Sequence, residues 1–170
     1  MKAFLLCLFI TLSVYSQDSF TITKEGYNTF VQEVTSTKQE SYKKVKLNVV
    51  NNCDILKNCI VSEVENEYIK FKYLDNTTYS WETKKGKKRE YEYVIIPELE
   101  IEFKDYKIRV NVTSVYSVGS DGQTYLVEPD QYFTRNGEYI SNLAAIGKKV
   151  AIENSVNKKI ESMFEETKDW

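Results

Sequence analysis

The strongest local concentration of charge in this chain is a basic cluster at residues 84–89, which holds Lys84, Lys85, Lys87, Lys88 and Arg89. Its ammonium and guanidinium groups could bind phosphate, lipid headgroups or an acidic glycan. Glutamates flank the cluster on both sides, and runs of like charge are most often solvated segments. The alternative interpretation is a solvated hairpin tip, and the sequence favours that alternative.

Aromatic side chains are a second source of binding chemistry, because 14% of the residues are Phe, Trp or Tyr. Aromatic residues anchor interfaces and line ligand grooves, although β-rich domains also pack them inside. Several lie in or near expected loops: Tyr79, Trp81, Tyr91, Tyr93, Tyr132, Phe133 and Tyr139. We select the turn-rich segment 119–139 as the candidate contact surface, with Tyr125, Tyr132 and Phe133 as its aromatic anchors.

Catalytic chemistry has few candidates. Histidine is absent, which removes the commonest general base and the commonest metal ligand. Ser120 lies in Gly119-Ser120-Asp121-Gly122, which is not a Gly-x-Ser-x-Gly nucleophile elbow. We therefore expect no catalytic residue, no metal site and no cofactor. Two alternatives stay open: an envelope hydrolase that uses the loop carboxylates Glu128 and Asp130, and an inhibitor or immunity-type protein.

Three further carboxylates, Glu98, Glu100 and Glu102, alternate with apolar residues along one predicted strand. Carboxylates in a row could perform acid–base chemistry or bind calcium. The same alternation is the ordinary pattern of a strand with one exposed face. Lys107 and Arg109 on the next strand could neutralise them across the sheet, so we favour the structural interpretation.

The first 16 residues have the pattern of an export signal. Lys2 precedes an apolar run from Ala3 to Val14, and a small residue, Ser16, ends the segment. The run is shorter than the about 20 apolar residues that a membrane-spanning helix needs. We expect cleavage between Ser16 and Gln17, a mature protein in the periplasm or outside the cell, and no transmembrane segment after cleavage. Residues 17–170 then form a single domain.

Compartment and charge narrow the expected chemistry further. Cys53 and Cys59 would lie in an oxidising environment, where such a pair indicates a disulfide rather than two free thiols or half of a zinc site. Their loop is short, so the bond would add about 2 kcal/mol to stability. A net charge of −2 gives no field that attracts nucleic acid. The expected partner is an envelope protein or another extracytoplasmic ligand.

The first half of the chain predicts strands, one helix and more strands. Residues 20–23 and 27–34 are β-like, and a capping box, either Ser36 with Gln39 or Thr37 with Glu40, starts a helix. Two strands follow at 60–64 and 68–74, joined by a tight turn. The helix carries apolar residues at helical spacing: Tyr42, Val45 and Val49, with Leu47 and Val50 widening the stripe.

The second half predicts a strand pair and a long helix. Residues 75–90 are polar and indicate a mobile hairpin or loop. Apolar residues keep odd parity from 91 to 103 and even parity from 106 to 112, with Pro97 at a bulge or an edge. A helix over 141–169 is expected, and Gly147 should weaken it. Its apolar stripe comprises Leu143, Ile146, Val150, Val156, Ile160, Met163 and Phe164.

This order of elements resembles a family of exported Bacteroidota proteins of unknown function, described as having a TATA-binding-protein-like (TBP-like) fold. The segment Phe103-Lys104-Asp105-Tyr106-Lys107-Ile108-Arg109-Val110 is similar to the family's strand–turn–strand, and Ser41-Tyr42-Lys43-Lys44 is similar to its first helix start. The resemblance implies an α+β fold of order β-α-β4-α, an antiparallel sheet with two helices on one face. It implies no activity, and a fold does not fix a function. We therefore expect a non-catalytic binding or assembly domain at the cell envelope.

Overall fold

A computed structural model describes residues 19–51 and 59–164. These residues form an α+β fold of two helices and an antiparallel sheet. The predicted signal segment 1–16 and residues 165–169 of the predicted helix lie outside the described residues. The elements are β1 (Ile22–Thr23), β2 (Gly26–Tyr27), β3 (Thr29–Glu33), α1 (Lys38–Asn51), β4 (Ile60–Val64), β5 (Tyr68–Lys72), β6 (Asp75–Glu82), β7 (Lys88–Lys104), β8 (Lys107–Val118), β9 (Thr124–Leu126), a 3₁₀ turn (Pro129–Tyr132) and α2 (Leu143–Phe164).

The strands form one large antiparallel sheet and a small hairpin. The large sheet has the order β3-β8-β7-β5-β4, with β6 also paired to β7 and β9 paired to β8, while β1 and β2 pair with each other. The predicted β-α-β4-α order is confirmed in β3, α1, β4, β5, β7, β8 and α2. The additions are β6, which the sequence assigned to a mobile hairpin or loop, the short strand β9 and the β1–β2 hairpin.

The central strand is β7, which is 17 residues long and changes neighbour half-way. Its first part pairs with β6 and its second part with β5. Pro97 lies at that change, opposite Val115 of β8, and its carbonyl accepts the backbone N–H of Tyr73 in the short link between β5 and β6. Because proline has no N–H to donate, it fits the one point where the ladder on that side is interrupted.

One face of the sheet is buried because the apolar side chains of the central strands all lie on that face. The pairing of β7 with β8 shifts between Glu98 and Leu99, where Thr113 is the extra residue. This β-bulge changes the buried positions of β8 from even to odd, so that Val115 faces the same core as Val112. The core side chains of the three central strands are Ile69, Phe71, Ile95, Leu99, Ile101, Phe103, Ile108, Val110, Val112 and Val115.

Helix α1 is fixed at its start by two sets of hydrogen bonds. Thr37 and Glu40 form the capping box, since the Glu40 carboxylate accepts the Thr37 N–H at 2.9 Å and the Thr37 hydroxyl accepts the Glu40 N–H at 3.4 Å. Of the two alternatives read from the sequence, the Thr37 box is the one formed. The Asp105 carboxylate, in the turn between β7 and β8, accepts the Lys38 N–H at 2.9 Å. The turn therefore also caps the helix.

Both helices lie on the buried face of the sheet, as predicted, but their apolar stripes are narrower than expected. In α1, Leu47 is 62% exposed and Val50 is 51% exposed. In α2, Leu143 and Val150 are also exposed. The expected widening of the α1 stripe by Leu47 and Val50 is therefore wrong, and so is the expected place of Leu143 and Val150 in the α2 stripe; Ile146 is half-buried. The physical reason in α2 is that its first half packs against one strand, β6, rather than against the broad sheet.

Helix α2 approaches β6 closely because of Gly147. A Cβ atom at this position would lie 2.8 Å from the backbone carbonyl oxygen of Ser80. The Thr77 hydroxyl donates to the Ala151 carbonyl at 3.4 Å, one helical turn further along. The glycine that lowers helix propensity is thus the residue that lets the helix and the strand come together.

The opposite face of the sheet carries paired charges. Glu98 accepts hydrogen bonds from Lys70 at 2.9 Å and Lys72 at 3.1 Å, and Arg109 contacts Glu102 at 3.1 Å. Burial would raise the pKa of Glu98, but hydrogen bonds from Lys70, Thr113 and Lys72 outweigh it and hold the pKa at about 2. Glu98 and Glu102 are therefore partners in ion pairs, which agrees with the structural interpretation of the row. Lys107, which was expected to neutralise the row, contacts Glu33 of β3 at 3.6 Å instead.

We predict that Gly147→Ala destabilises the protein. Helix propensity alone would favour alanine by about 1 kcal/mol, but the new methyl group would overlap the Ser80 carbonyl, and overpacking costs about 1–3 kcal/mol. Urea denaturation should show a lower midpoint. The control Asn154→Ala, at an exposed position of the same helix, should leave the midpoint unchanged or raise it. A more stable Gly147→Ala variant would contradict the close approach.

We also predict that Glu98 makes the protein sensitive to acid. A carboxyl whose pKa is lowered by folding contributes stability above its unfolded pKa, and that contribution is lost as the pH falls from about 4.5 to about 2. The loss should be at most about 3 kcal/mol. Urea denaturation between pH 6 and pH 2.5 should show a weaker pH dependence for Glu98→Gln than for the wild type or for Glu161→Gln. Equal slopes for all three proteins would contradict the role of Glu98.

Candidate functional site

The basic cluster lies at the tip of a long hairpin made by β6 and β7. The turn is closed by backbone hydrogen bonds between Thr83 and Lys87 at 2.9 Å and between Gly86 and Thr83 at 2.8 Å. Gly86 has a φ of +73°, a value that favours glycine. Lys84, Lys85 and Lys87 occupy this exposed turn, and Lys88 and Arg89 begin β7. Within the tip, Lys88 pairs with Glu90 at 2.7 Å.

Four aromatic rings lie on one face of the same hairpin, and we call Tyr79, Trp81, Tyr91 and Tyr93 the aromatic row. Tyr79 and Tyr91 face each other in the register of β6 and β7. The Trp81 ring stacks on Tyr91 with centroids 5.2 Å apart and on Tyr79 at 5.5 Å, each pair inclined by 14°. Tyr79 and Tyr91 stack at 5.9 Å and 22°. Three rings are thus held nearly parallel beside the basic tip.

Helix α2 packs against the inner end of the aromatic row, at Tyr93, and the outer end of the row is open to solvent. Tyr93 meets Tyr79 edge to face at 5.9 Å, and the Lys148 ammonium lies 4.6 Å from the Tyr93 ring centroid. Burial lowers the pKa of Lys148 and raises the pKa of Tyr93, so the inner end of the row is dehydrated. Tyr91, by contrast, is 49% exposed. The outer rings can therefore contact a ligand while the inner ring stays packed.

Proximity to the basic tip gives this hairpin two kinds of recognition chemistry. The aromatic rings offer flat apolar surfaces. Their side chains have already lost conformational freedom through stacking, so a ligand would order few further side chains on binding. The lysines add positive charge at the edge of that area. A ligand that suits both parts has flat apolar faces and acidic groups along its length.

The segment 119–139 presents less than the sequence suggested. Tyr132 is 1% exposed and belongs to the core, so a partner has no access to its ring in the folded protein. Phe133 is half-buried against the core and stacks on Tyr139 at 5.2 Å. Tyr125 is 51% exposed, and its hydroxyl donates to Asp121 at 2.6 Å. Of the three expected anchors, Tyr125 alone offers an exposed ring.

The loop carboxylates of the alternative hydrolase are exposed on either side of Pro129. Glu128 precedes the 3₁₀ turn and Asp130 lies within it, where its backbone carbonyl accepts the Phe133 N–H at 3.1 Å. Among residues 19–51 and 59–164, no three Cys, Asp or Glu side chains lie close enough together to hold a metal ion.

The predicted disulfide is half inside the described part of the chain. Cys59 is buried, with 3% of its surface exposed, and its carbonyl accepts the Lys72 N–H at 2.8 Å. Cys53 lies outside the described residues. The pairing of the two cysteines stays a prediction.

The four rings of the aromatic row are recognisable in the sequence as possible binding residues, but their proximity follows only from the pairing of β6 with β7. The polar segment 75–90 was expected to be a mobile hairpin or loop; the structure has the hairpin, and its first strand is β6. The available signal was the alternation of Thr77, Tyr79 and Trp81, followed by a Lys-Lys-Gly turn and then by Tyr91 and Tyr93 in the same parity. That pattern is typical of a hairpin with one aromatic face.

Comparisons with known proteins support the fold and no activity. No family model matches the chain, and no curated protein matches it. The chain is similar in structure to a DUF4468 family protein from Bacteroides ovatus ATCC 8483, with a TM-score of 0.56, 10% identity, and 81% of this chain and 85% of that chain covered. It is also similar to a TBP-like protein from Parabacteroides distasonis ATCC 8503, with a TM-score of 0.51, 11% identity, and coverage of 80% and 90%.

These similarities confirm the TBP-like fold that the resemblance implied, and they agree with a Bacteroidota family of unknown function. At such low identity they carry the fold alone. Within the described part of the chain, neither helix is long and apolar enough to cross a membrane.

Proposed function

We propose that this protein is an exported, non-catalytic binding module of the cell envelope, and that it binds an acidic polysaccharide along the β6–β7 hairpin. The single observation that carries the proposal is the aromatic row beside the basic tip. The three ring centroids lie 5.2–5.9 Å from one another, so the rings form a compact, preordered apolar cluster. The C–H faces of sugar rings pack against aromatic surfaces of this kind.

Charge selects the acidic class among polysaccharides. The chain as a whole has a net charge of −2, so an acidic polymer is attracted only where cations are concentrated. Residues 82–92 hold five basic and three acidic side chains, and the flanking Lys88–Glu90 pair leaves Lys84, Lys85 and Lys87 at the turn. Attraction between this exposed tip and carboxylate or sulfate groups should be sensitive to salt.

Export and disulfide formation belong to the same proposal. An acidic polysaccharide of the envelope lies outside the cytoplasm. The N-terminal segment 1–16 predicts that the mature protein is exported to that same side of the membrane. In that compartment Cys53 and Cys59 would pair.

The first prediction from this proposal concerns processing. Intact-mass analysis of protein recovered from the envelope of an expressing Bacteroidota host should give a chain that starts at Gln17 and has two hydrogens fewer than the reduced chain. Thiol titration after unfolding without reductant should detect no free cysteine. A cytoplasmic chain that retains Met1, or two titratable thiols per mature chain, would contradict this part of the proposal.

The second prediction concerns binding. Affinity electrophoresis in gels that contain alginate or polygalacturonate should retard the mature protein, whereas neutral dextran should not. Trp81→Ala/Tyr91→Ala should weaken binding at least about tenfold, which is about 1.4 kcal/mol. Lys84→Gln/Lys85→Gln should weaken binding and also reduce its salt dependence.

Matched variants separate the hairpin from general effects. Lys43→Gln/Lys104→Gln changes the net charge equally at exposed positions elsewhere, and Tyr106→Ala removes an exposed ring from the β7–β8 turn; both should bind as the wild type does. Urea denaturation establishes that each variant is folded. Absence of retardation by any acidic polysaccharide at low salt would refute the ligand class. If the wild type released reducing ends from the polysaccharide and Glu128→Gln or Asp130→Asn abolished that release, the protein would be a hydrolase instead.

A further inference from the structure

A cleft of about 440 Å³ lies between the C-terminal half of α2 and the start of β6. Its volume is in the range of small-molecule sites. The walls carry polar side chains from both elements, including Tyr73, Asp75, Thr77, Ser155, Lys158 and Lys159. None of these residues belongs to the aromatic row, so the cleft is separate from the hairpin surface.

Two cations, Lys158 and Lys159, line the cleft, which also holds the Asp75 carboxylate. Within the described part of the chain, neither Lys158 nor Lys159 forms an ion pair. Lys159 is half-buried, and its ammonium lies 5.6 Å from the Tyr73 ring centroid. Burial lowers the pKa of Lys159, although Asp75 acts in the opposite direction. A partly dehydrated ammonium without an ion pair favours the entry of an anionic group.

A buried hydroxyl in the same wall also lacks a partner. Tyr73 is 6% exposed, and its hydroxyl makes no hydrogen bond of good geometry. Ser155 lies near it but donates its own hydroxyl to Asp75. Burial raises the pKa of Tyr73 well above its usual value, so the phenol keeps its proton and can donate. A buried donor left unpaired costs about 1–3 kcal/mol. The hydroxyl has almost no exposed surface, so a ligand oxygen satisfies it by entering the wall of the cleft.

Asp75 supplies the complementary acceptor. One carboxylate oxygen accepts the Ser155 hydroxyl, and a carboxylate has further lone pairs for a second donor. A ligand with an acidic group alone would use the lysines and Tyr73 and leave Asp75 unfavourably close to its own charge. A ligand that also carries hydroxyl groups can donate to Asp75.

We propose that this cleft binds a small hydroxylated carboxylic acid of the size of a sugar acid. The ligand carboxylate lies between the Lys159 ammonium and the Tyr73 hydroxyl, and a ligand hydroxyl donates to Asp75. The site is a binding site. Ser155 has its hydroxyl committed to a carboxylate, and no lysine hydrogen-bonds to it within the described residues.

Titration with D-glucuronate, followed by amide NMR shifts and by calorimetry, tests the proposal. Glucuronate should shift resonances of the cleft residues with millimolar or tighter affinity. Glucose, which has the same ring without the carboxylate, should not bind, and acetate, which lacks the hydroxyls, should bind more weakly than glucuronate. Lys159→Met, which keeps the apolar stem, should weaken glucuronate binding at least about tenfold, as expected for a charge-assisted hydrogen bond.

Tyr73→Phe distinguishes a ligand-binding role from a structural one. Removing the unpaired hydroxyl should leave the urea midpoint of the ligand-free protein unchanged or raise it, while glucuronate binding falls at least about tenfold. Lys43→Met, which removes an exposed charge elsewhere, and Trp81→Ala/Tyr91→Ala should bind glucuronate as the wild type does. Unchanged cleft resonances across the millimolar range of glucuronate, or equal affinity of Lys159→Met and the wild type, would overturn the proposal without bearing on the hairpin.

Discussion

The continuity of β7 is the constraint on which the rest of this structure depends. A strand of 17 residues provides one ladder to β8, from Val94 to Lys104, and two successive ladders, to β6 and β5, on its other side. Pro97 is tolerated in mid-strand because its missing N–H falls at the junction between those two neighbours. The bulge in β8 beside it keeps the apolar side chains on one face. Both helices need that single apolar face.

From this constraint follows the division of the sheet into a stable body and a projecting hairpin. In the body, the Tyr42 ring of α1 meets the Phe103 ring at 5.6 Å, and the buried side chains of α2 belong to the same hydrophobic core as those of the central strands. Beyond Ile95, β7 has only β6 on that side, and α2 covers the pair through the close approach at Gly147. Few buried side chains stabilise the outer end, so cross-strand stacking of aromatic rings takes their place.

Sequence predicted the body of the fold better than its periphery, for physical reasons. Tyr91 to Phe103 alternate with a clear period of two, and the Lys104-Asp105 turn closes the pair, so the strand pair follows from pattern alone. The arrangement of the sheet and its two helices was implied by the family resemblance. Strand β6 has polar, exposed residues on one side and half-buried residues on the other. Its amino-acid composition is therefore similar to that of a loop. In α2 the buried positions include Lys149, whose ammonium forms an ion pair with Glu153 at 2.6 Å. A pattern of apolar residues does not reveal a buried lysine of this kind.

The cleft was harder still to predict, because it joins residues far apart in the chain. Ser155 and Asp75 are separated by 80 positions, and no local spacing relates them. Both proposed surfaces nevertheless share strand β6: its first residues line the cleft and its last residues carry the aromatic row. The distance between α2 and β6 therefore sets the width of the cleft and the support of the innermost ring together. A glycine at position 147 is the sequence feature that fixes that distance, and it links two surfaces that recognise their ligands by different chemistry.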